Sequence, residues 1–145
     1  MRRKGVTILV TDDEASQRRL MRGILENAGY TVLEAQDYDE ALTIHRNHKG
    51  NIDLALTDLA LPGGDGCRLV RTLLAAKPGL SAVFVSGMAG SEVCRFYGIA
   101  TTDIHFLAKP FAAADLLQRV RAVLQAGGPY LTRTAGDTGT SSTQL

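Results

Sequence analysis

The sequence predicts an α/β fold: a single, doubly wound parallel sheet with helices on both faces. Five short apolar runs alternate with segments in which apolar residues recur at helical spacing. Each run closes on polar or turn-forming residues, which is typical of short strands buried on both faces. Strands separated by helices favour a parallel sheet, and right-handed crossovers restrict its topology to a few choices.

The elements follow one another without an internal repeat. We predict strands over residues 6–10, 31–35, 54–58, 82–85 and 104–107. The predicted helices cover about 15–28, 37–47, 67–77, 91–98 and 112–126. We expect residues 1–126 to form one domain. Residues 127–145 are rich in Gly, Thr and Ser and poor in large apolar residues, which predicts a disordered tail.

Local signals mark several helix ends. Gly29 lies where a helix C-terminus favours glycine, and Asp37 with Glu40 forms a capping box for the second helix. The last helix begins near Ala112, where Ser or Thr would be the expected cap. We expect Asp115 to compensate in part through its interaction with the helix dipole.

The bulk composition excludes several classes of protein. Hydrophobic residues make up 45% of the 145 residues and charged residues 21%, which argues against global disorder. A net charge of +1 gives no electrostatic ground for a nucleic-acid partner. No apolar run approaches the roughly 20 residues of a membrane span. Cys67 and Cys94 lack metal-binding spacing, so we expect a reduced, cytoplasmic setting.

Polar side chains follow four of the five predicted strands: Asp12 and Asp13, then Asp58, Ser86 and Lys109. Because ligands of open α/β sheets bind at the carboxyl ends of the strands, we expect one shared pocket. Clustered carboxylates are suited to Mg²⁺, which prefers oxygen ligands. A carboxylate can also form a covalent aspartyl phosphate, whose oxygens an ammonium and a hydroxyl would bind.

This arrangement resembles the receiver domain of bacterial two-component response regulators over about residues 6–126. The resemblance implies a flavodoxin-like strand order of 2-1-3-4-5. The matching residues are Asp12-Asp13 after the first strand, Asp58 closing the third, Leu61-Pro62-Gly63-Gly64-Asp65-Gly66, Ser86-Gly87 and Lys109-Pro110. The ending 106–111, FLAKPF, is similar to receivers attached to hybrid sensor kinases.

The resemblance implies a phosphoacceptor and a metal site. Asp58 would accept a phosphoryl group from a histidine kinase or a histidine phosphotransfer protein. Mg²⁺ would be held by Asp13, Asp58 and the backbone carbonyl of Ala60, with Asp12 acting through a water molecule. Such a domain catalyses only its own phosphorylation and dephosphorylation, so we do not expect an enzyme that acts on other substrates.

The resemblance also implies a switch. Ser86 and Lys109 would contact the phosphoryl group, the Lys109–Pro110 bond would be cis, and Phe106 falls at the aromatic switch position of the family. We expect Ser86 to move toward the phosphoryl group and the Phe106 ring to turn inward. The surface formed by the 91–98 helix, the fifth strand and the last helix would then change, and it is also the expected homodimer surface.

Two other hypotheses compete with a receiver. A Mg²⁺-dependent phosphatase resembling the haloacid dehalogenase group would use the same aspartyl chemistry. That group needs a second acid two residues after its nucleophile, where this sequence has Ala60. A pseudo-receiver would bind partners without phosphorylation, and the complete set of acids and lysine argues against it.

Overall fold

The computed structural model of the protein describes residues 5–61, 66–87 and 105–126. Within these ranges strands and helices alternate along the chain. Their order is β1 (Thr7–Thr11), α1 (Ala15–Asn27), β2 (Thr31–Ala35), α2 (Tyr38–Asn47), β3 (Leu54–Asp58), α3 (Gly66–Ala76), β4 (Ser81–Ser86), β5 (Phe106–Ala108) and α4 (Ala113–Ala126). The predicted helix over 91–98 and the predicted tail over 127–145 lie outside the described residues.

The five strands form one parallel sheet in the order β2-β1-β3-β4-β5, which confirms the predicted fold class and strand order. The fifth strand differs from its prediction. Within the described residues it comprises Phe106–Ala108, so it begins after His105 and extends one residue beyond the predicted end at 107. Ala108 pairs with Ser86 at the carboxyl end of β4. Residue 104 of the predicted strand lies outside the described residues. The apolar pattern did not reveal this register because a small exposed alanine gives no hydrophobic signal.

The sheet separates two apolar layers. Alternate residues of each strand point to opposite faces, so Leu9 belongs to the layer with α2 and α3 while Ile8 and Val10 belong to the layer with α1 and α4. β1 and β4 are buried along their whole length. Burying each such aliphatic side chain contributes about 1.5–3 kcal/mol, so the two layers fix the position of the strand ends.

The helix ends follow the local signals in the sequence. Gly29 has φ +98° and donates its amide to the α1 C-terminus. Asp37 Oδ1 accepts the Glu40 amide at 2.8 Å, and the Glu40 side chain accepts the amide just before the cap. At α4 the Asp115 carboxylate accepts the amide of Ala112 at 3.1 Å, so it compensates for the missing cap through a hydrogen bond.

Across the part of the chain that the structure describes, each helix falls short of the length and apolarity that a bilayer-spanning helix requires.

Candidate functional site

Four charged side chains meet at the carboxyl edge of the sheet. β1 and β3 are neighbours with Thr11 opposite Thr57, so the residues that follow, Asp12 and Asp58, lie side by side. Carboxylate oxygens of Asp12, Asp13 and Asp58 all lie within 4.8 Å of one another. The predicted acids therefore come together because adjacent parallel strands deliver them to one edge.

Lys109 completes this cluster from the loop after β5. Its Nζ lies 3.3 Å from Asp12 Oδ2 and 3.2 Å from Asp58 Oδ2. The Lys109 amide donates to the Ser86 carbonyl at 2.9 Å, which extends the β4–β5 pairing by one residue. The Lys109–Pro110 peptide bond is cis, as predicted.

Asp12 is fully buried, and four hydrogen bonds hold it in place. Its amide donates to the Ala35 carbonyl, and its Oδ1 accepts the Glu14 amide at 2.9 Å. Its Oδ2 accepts from Lys109, and its carbonyl accepts from Arg18 Nη1 at 2.8 Å. A buried carboxylate is tolerated only when hydrogen-bond donors or positive charges contact it, as the Glu14 amide and Lys109 do here. Asp12 is therefore the most firmly held acid of the cluster.

Asp13 differs from Asp12 in both its burial and its hydrogen bonding. Its side chain is exposed, and within the described residues its carboxylate makes no hydrogen bond or ion pair. It nevertheless contributes an oxygen to the cluster of three acids. Its carboxylate is therefore open to a ligand, and its position depends on the backbone that carries it.

Asp58 is 12% exposed, and both of its carboxylate oxygens accept hydrogen bonds. Oδ1 accepts the Ala60 amide at 3.0 Å, and Oδ2 accepts from Lys109. Burial is the largest influence on the pKa of the Asp58 carboxyl and raises it, and the nearby Asp12 carboxylate raises it as well. The Ala60 amide and Lys109 lower this pKa, but burial outweighs them, so the pKa lies above its ordinary value. The Asp58 carboxylate is thus poorly solvated, which favours reaction with an electrophile.

Lys109 stays an ammonium group in this setting. Burial lowers the pKa of Lys109, but the carboxylates of Asp58 and Asp12 outweigh it, so the pKa lies above its ordinary value. Among the described residues, the cluster therefore contains three carboxylates and a single ammonium group. When all are ionised, negative charge remains in excess, as a cation-binding pocket requires.

Ser86 and Phe106, the predicted switch residues, lie on the two strands beyond β3. Ser86 is 6% exposed and ends β4, next to Val85, which pairs with Asp58. Phe106 is half-buried, and its ring packs against the fully buried Phe84 with centroids 5.9 Å apart. Ser86 thus adjoins Lys109 through the backbone, whereas the Phe106 ring packs in the apolar layer with α2 and α3.

Three features of the site were not apparent from the sequence: the Phe84 ring beneath Phe106, the Arg18 contact to Asp12, and the tight approach of Gly66. A Cβ on Gly66 would lie 2.3 Å from the carbonyl oxygen of Asp58, so a larger residue would require the backbone to shift. Gly66 was visible in the sequence as a loop glycine, but its contact with Asp58 was not. The remaining loop residues, 62–65, lie outside the described residues.

Comparisons with known proteins agree with this geometry. The family model described as the response regulator receiver domain matches residues 8–121. The transcriptional regulatory protein ResD of Bacillus subtilis is 36% identical over 118 residues, which cover 81% of this chain and 48% of that protein. The sensor kinase CckA of Brucella abortus is 36% identical over 121 residues, covering 82% of this chain and 12% of that protein.

A solved structure supports the same conclusion. The response regulator receiver protein of Sinorhizobium medicae superposes with a TM-score of 0.74 at 29% identity, over 85% of this chain and 97% of that one. Since the chain spans about half of ResD and a smaller part of CckA, the shared unit is the receiver domain alone. The chain belongs to the receiver-domain family of two-component signal transduction.

Proposed function

We propose that this chain accepts a phosphoryl group on Asp58 from a phosphohistidine, in a reaction that depends on Mg²⁺. The observation that carries the proposal is the pairing of Lys109 with both Asp12 and Asp58 next to the open carboxylate of Asp13. An ammonium group and excess carboxylates around one poorly solvated aspartate are the requirements of an aspartyl-phosphate site.

The residues present fit Mg²⁺. All the side-chain atoms that could bind the metal are carboxylate oxygens, which Mg²⁺ prefers. At Mg–O distances near 2.1 Å, two oxygen atoms bound to one ion lie at most about 4.2 Å apart. The spread of the acids, up to 4.8 Å, suits a mixture of direct and water-mediated contacts. Asp13, Asp58 and the Ala60 carbonyl would hold the ion, with Asp12 acting through water. When bound, Mg²⁺ supplies positive charge against the phosphoryl oxygens.

In the proposed reaction an Asp58 oxygen attacks phosphorus. The O–P bond forms as the P–N bond to the donor imidazole breaks, and the imidazole leaves with the electron pair of that bond. The Lys109 ammonium group exchanges its contact with Asp58 Oδ2 for a phosphoryl oxygen. Its contact with Asp12 keeps it next to the site during this exchange. The Ser86 hydroxyl binds a second phosphoryl oxygen.

The same proposal includes the switch. Movement of Ser86 toward the phosphoryl group draws the following chain with it, and the Phe106 ring then turns inward. Phenylalanine has no hydroxyl, so its two positions differ by packing alone, and Phe84 is the surface against which it packs. Of the surface expected to respond, β5 and α4 are described and the 91–98 segment is not.

The proposed partners follow from this chemistry. The phosphoryl donor is a histidine kinase or a histidine phosphotransfer protein, and the similarity to CckA and to ResD is compatible with a place in either a hybrid kinase or a response regulator. The surface of the 91–98 segment, β5 and α4 is the proposed site of dimerisation. We further propose that the chain acts in the cytoplasm and catalyses only its own phosphorylation and dephosphorylation.

The test is incubation with acetyl phosphate and Mg²⁺, followed by intact-protein and peptide mass spectrometry. We expect one added phosphoryl group, located on Asp58, and none in the presence of a chelator. Asp58→Asn should abolish the modification, whereas Asp53→Asn, at the opposite edge of the sheet, should retain it.

The rival hypotheses give different results in the same assay. A phosphatase would hydrolyse an external phosphoester through many turnovers without holding the group. A pseudo-receiver would show neither modification nor turnover, and either result would overturn the proposal.

A further inference from the structure

The open carboxylate of Asp13 raises the question of what holds it in place. Within the described residues no donor contacts this carboxylate. Its position is therefore set by the preceding peptide unit, which joins Asp12 to Asp13. Whatever fixes the carbonyl of Asp12 also fixes the plane of that peptide unit.

Arg18 is the side chain that contacts this carbonyl. Its Nη1 donates to the Asp12 carbonyl at 2.8 Å, while its Nε donates to Glu34 Oε1 at 3.0 Å. The Arg18 and Glu34 side chains are only 16% and 20% exposed. The planar guanidinium thus bridges β2 and the β1–α1 turn, and its rigid fork fixes both contacts together.

We propose that Arg18, anchored by Glu34, is a positioning residue that presents Asp13 to Mg²⁺. The proposal rests on the function proposed above and adds to it a residue outside the charged cluster. Arg18 contacts neither Asp13 nor the proposed ion; it acts through the Asp12 carbonyl. This arrangement is the kind of outer-shell support whose loss typically weakens metal binding about 10- to 100-fold.

The sign of the effect separates positioning from simple electrostatics. Arg18 carries a positive charge near a cation site, so removing that charge alone would strengthen Mg²⁺ binding. Releasing the Asp12–Asp13 peptide unit from its fixed orientation would instead weaken Mg²⁺ binding. A neutral substitution at Arg18 therefore sets the two effects against each other, and the observed direction shows which one dominates.

Arg22 offers a matched control in the same network. Its Nη1 lies 2.6 Å from Glu34 Oε2 and its Nε 2.9 Å from Glu26 Oε2. It therefore shares the Glu34 anchor and the charge of Arg18. Its hydrogen bonds to described residues go to these two glutamates, and none of them reaches Asp12.

The experiment is a calorimetric Mg²⁺ titration of the wild-type chain and of Arg18→Gln, Arg18→Lys and Arg22→Gln. We expect Arg18→Gln to bind Mg²⁺ about tenfold more weakly. Arg18→Lys keeps the charge without the fork and should also bind more weakly than the wild type. Arg22→Gln should bind as the wild type does or slightly more tightly.

A second measurement separates positioning from general damage. At saturating Mg²⁺, phosphorylation of Arg18→Gln by acetyl phosphate should approach the wild-type rate, because excess metal offsets weaker binding. Thermal unfolding will show whether each variant is folded, and Arg18→Lys keeps the test informative if Arg18→Gln is not.

Two results would overturn the inference: tighter or unchanged Mg²⁺ binding by Arg18→Gln, or equal weakening by Arg22→Gln. If the wild-type chain itself binds no Mg²⁺, the proposed function fails instead. The inference would then fail with it, whereas wild-type Mg²⁺ binding that Arg18→Gln leaves unchanged would overturn the inference alone.

Discussion

The two edges of the sheet each place an aspartate and a lysine beside β3, yet they are built differently. At the amino edge, Asp53 accepts the Thr7 amide at 2.9 Å and the Asn51 side-chain amide at 2.6 Å. Lys77 there donates to the Ile52 carbonyl and to Asn51 Oδ1. Uncharged groups thus satisfy both the carboxylate and the ammonium group, and the Asn51 amide contacts each of them.

At the carboxyl edge the charges meet one another. Lys109 contacts two carboxylates directly, and a third carboxylate lies beside them. The two lysines respond in opposite directions: burial lowers the pKa of Lys77 against weak opposition from Asp53, whereas Asp58 and Asp12 raise the pKa of Lys109 despite burial. The comparison teaches that an excess of negative charge, rather than the mere presence of an aspartate near a lysine, distinguishes the edge that carries the proposed phosphorylation site.

The largest expected effect comes from Gly66→Ala, which disrupts the carboxyl edge alone. The new Cβ would lie 2.3 Å from the Asp58 carbonyl oxygen and 2.9 Å from the Leu59 Cα, both backbone atoms that cannot move aside cheaply. We expect a loss of about 3 kcal/mol in the free energy of unfolding and loss of phosphorylation. Urea denaturation and the acetyl phosphate assay measure the two effects.

Gly23→Ala is the control for this change. A Cβ at Gly23 meets nothing within 4 Å, and the position is an exposed one within α1. It should gain about 1 kcal/mol from helix propensity and keep full phosphorylation. A Gly66→Ala protein as stable and active as the wild type would show that the edge is more pliable than described.

Asp53→Ala should break the amino edge without touching the site. It removes the acceptor of the Thr7 amide and of the Asn51 side chain, and leaving such groups unsatisfied costs about 2 kcal/mol. Phosphorylation of the folded protein should be unchanged. Asp39→Ala, on the exposed first turn of α2, removes the same group and should cost only about 0.5 kcal/mol. Equal losses in the two variants would contradict the structural role of Asp53.

Compared with Gly66→Ala and Asp53→Ala, Asp58→Asn should change the free energy of unfolding least, and it should raise it. The folded state raises the pKa of Asp58, so it binds the proton more tightly than the unfolded chain does. Stability of the wild type therefore falls as pH rises from the ordinary value of 3.8 through the folded pKa. At neutral pH the asparagine variant should be more stable by about 1 kcal/mol in the absence of metal.

This advantage should shrink as the pH is lowered, because the wild-type carboxyl then becomes protonated in the folded state. Thermal unfolding of both proteins between neutral and mildly acidic pH measures the difference between them. Asp53→Asn, the same substitution at the amino edge, should lower stability instead. An advantage of Asp58→Asn that does not change with pH would show that the ionised carboxylate is not the cause.

Much of this architecture could be predicted from the sequence, since strand ends and helix periods are local patterns. The sequence alone identifies polar residues at the ends of apolar runs, and this is how we identified Asp12, Asp58 and Lys109. The Arg18 contact was not, because it joins a helix side chain to a backbone carbonyl and depends on how α1 packs against β2. The approach of Gly66 to Asp58 likewise depends on backbone geometry that composition does not encode.

Asp12 and Lys109 are separated by 97 positions in the chain, and their contact spans nearly the whole domain. During synthesis on the ribosome the amino-terminal strands emerge long before this lysine. A chain that stops before Lys109 has the acids of the site without their ammonium partner, and it lacks the residue proposed to bind a transferred phosphoryl group. Under the proposed function, a chain that stops before residue 109 would therefore compete poorly for the phosphoryl donor.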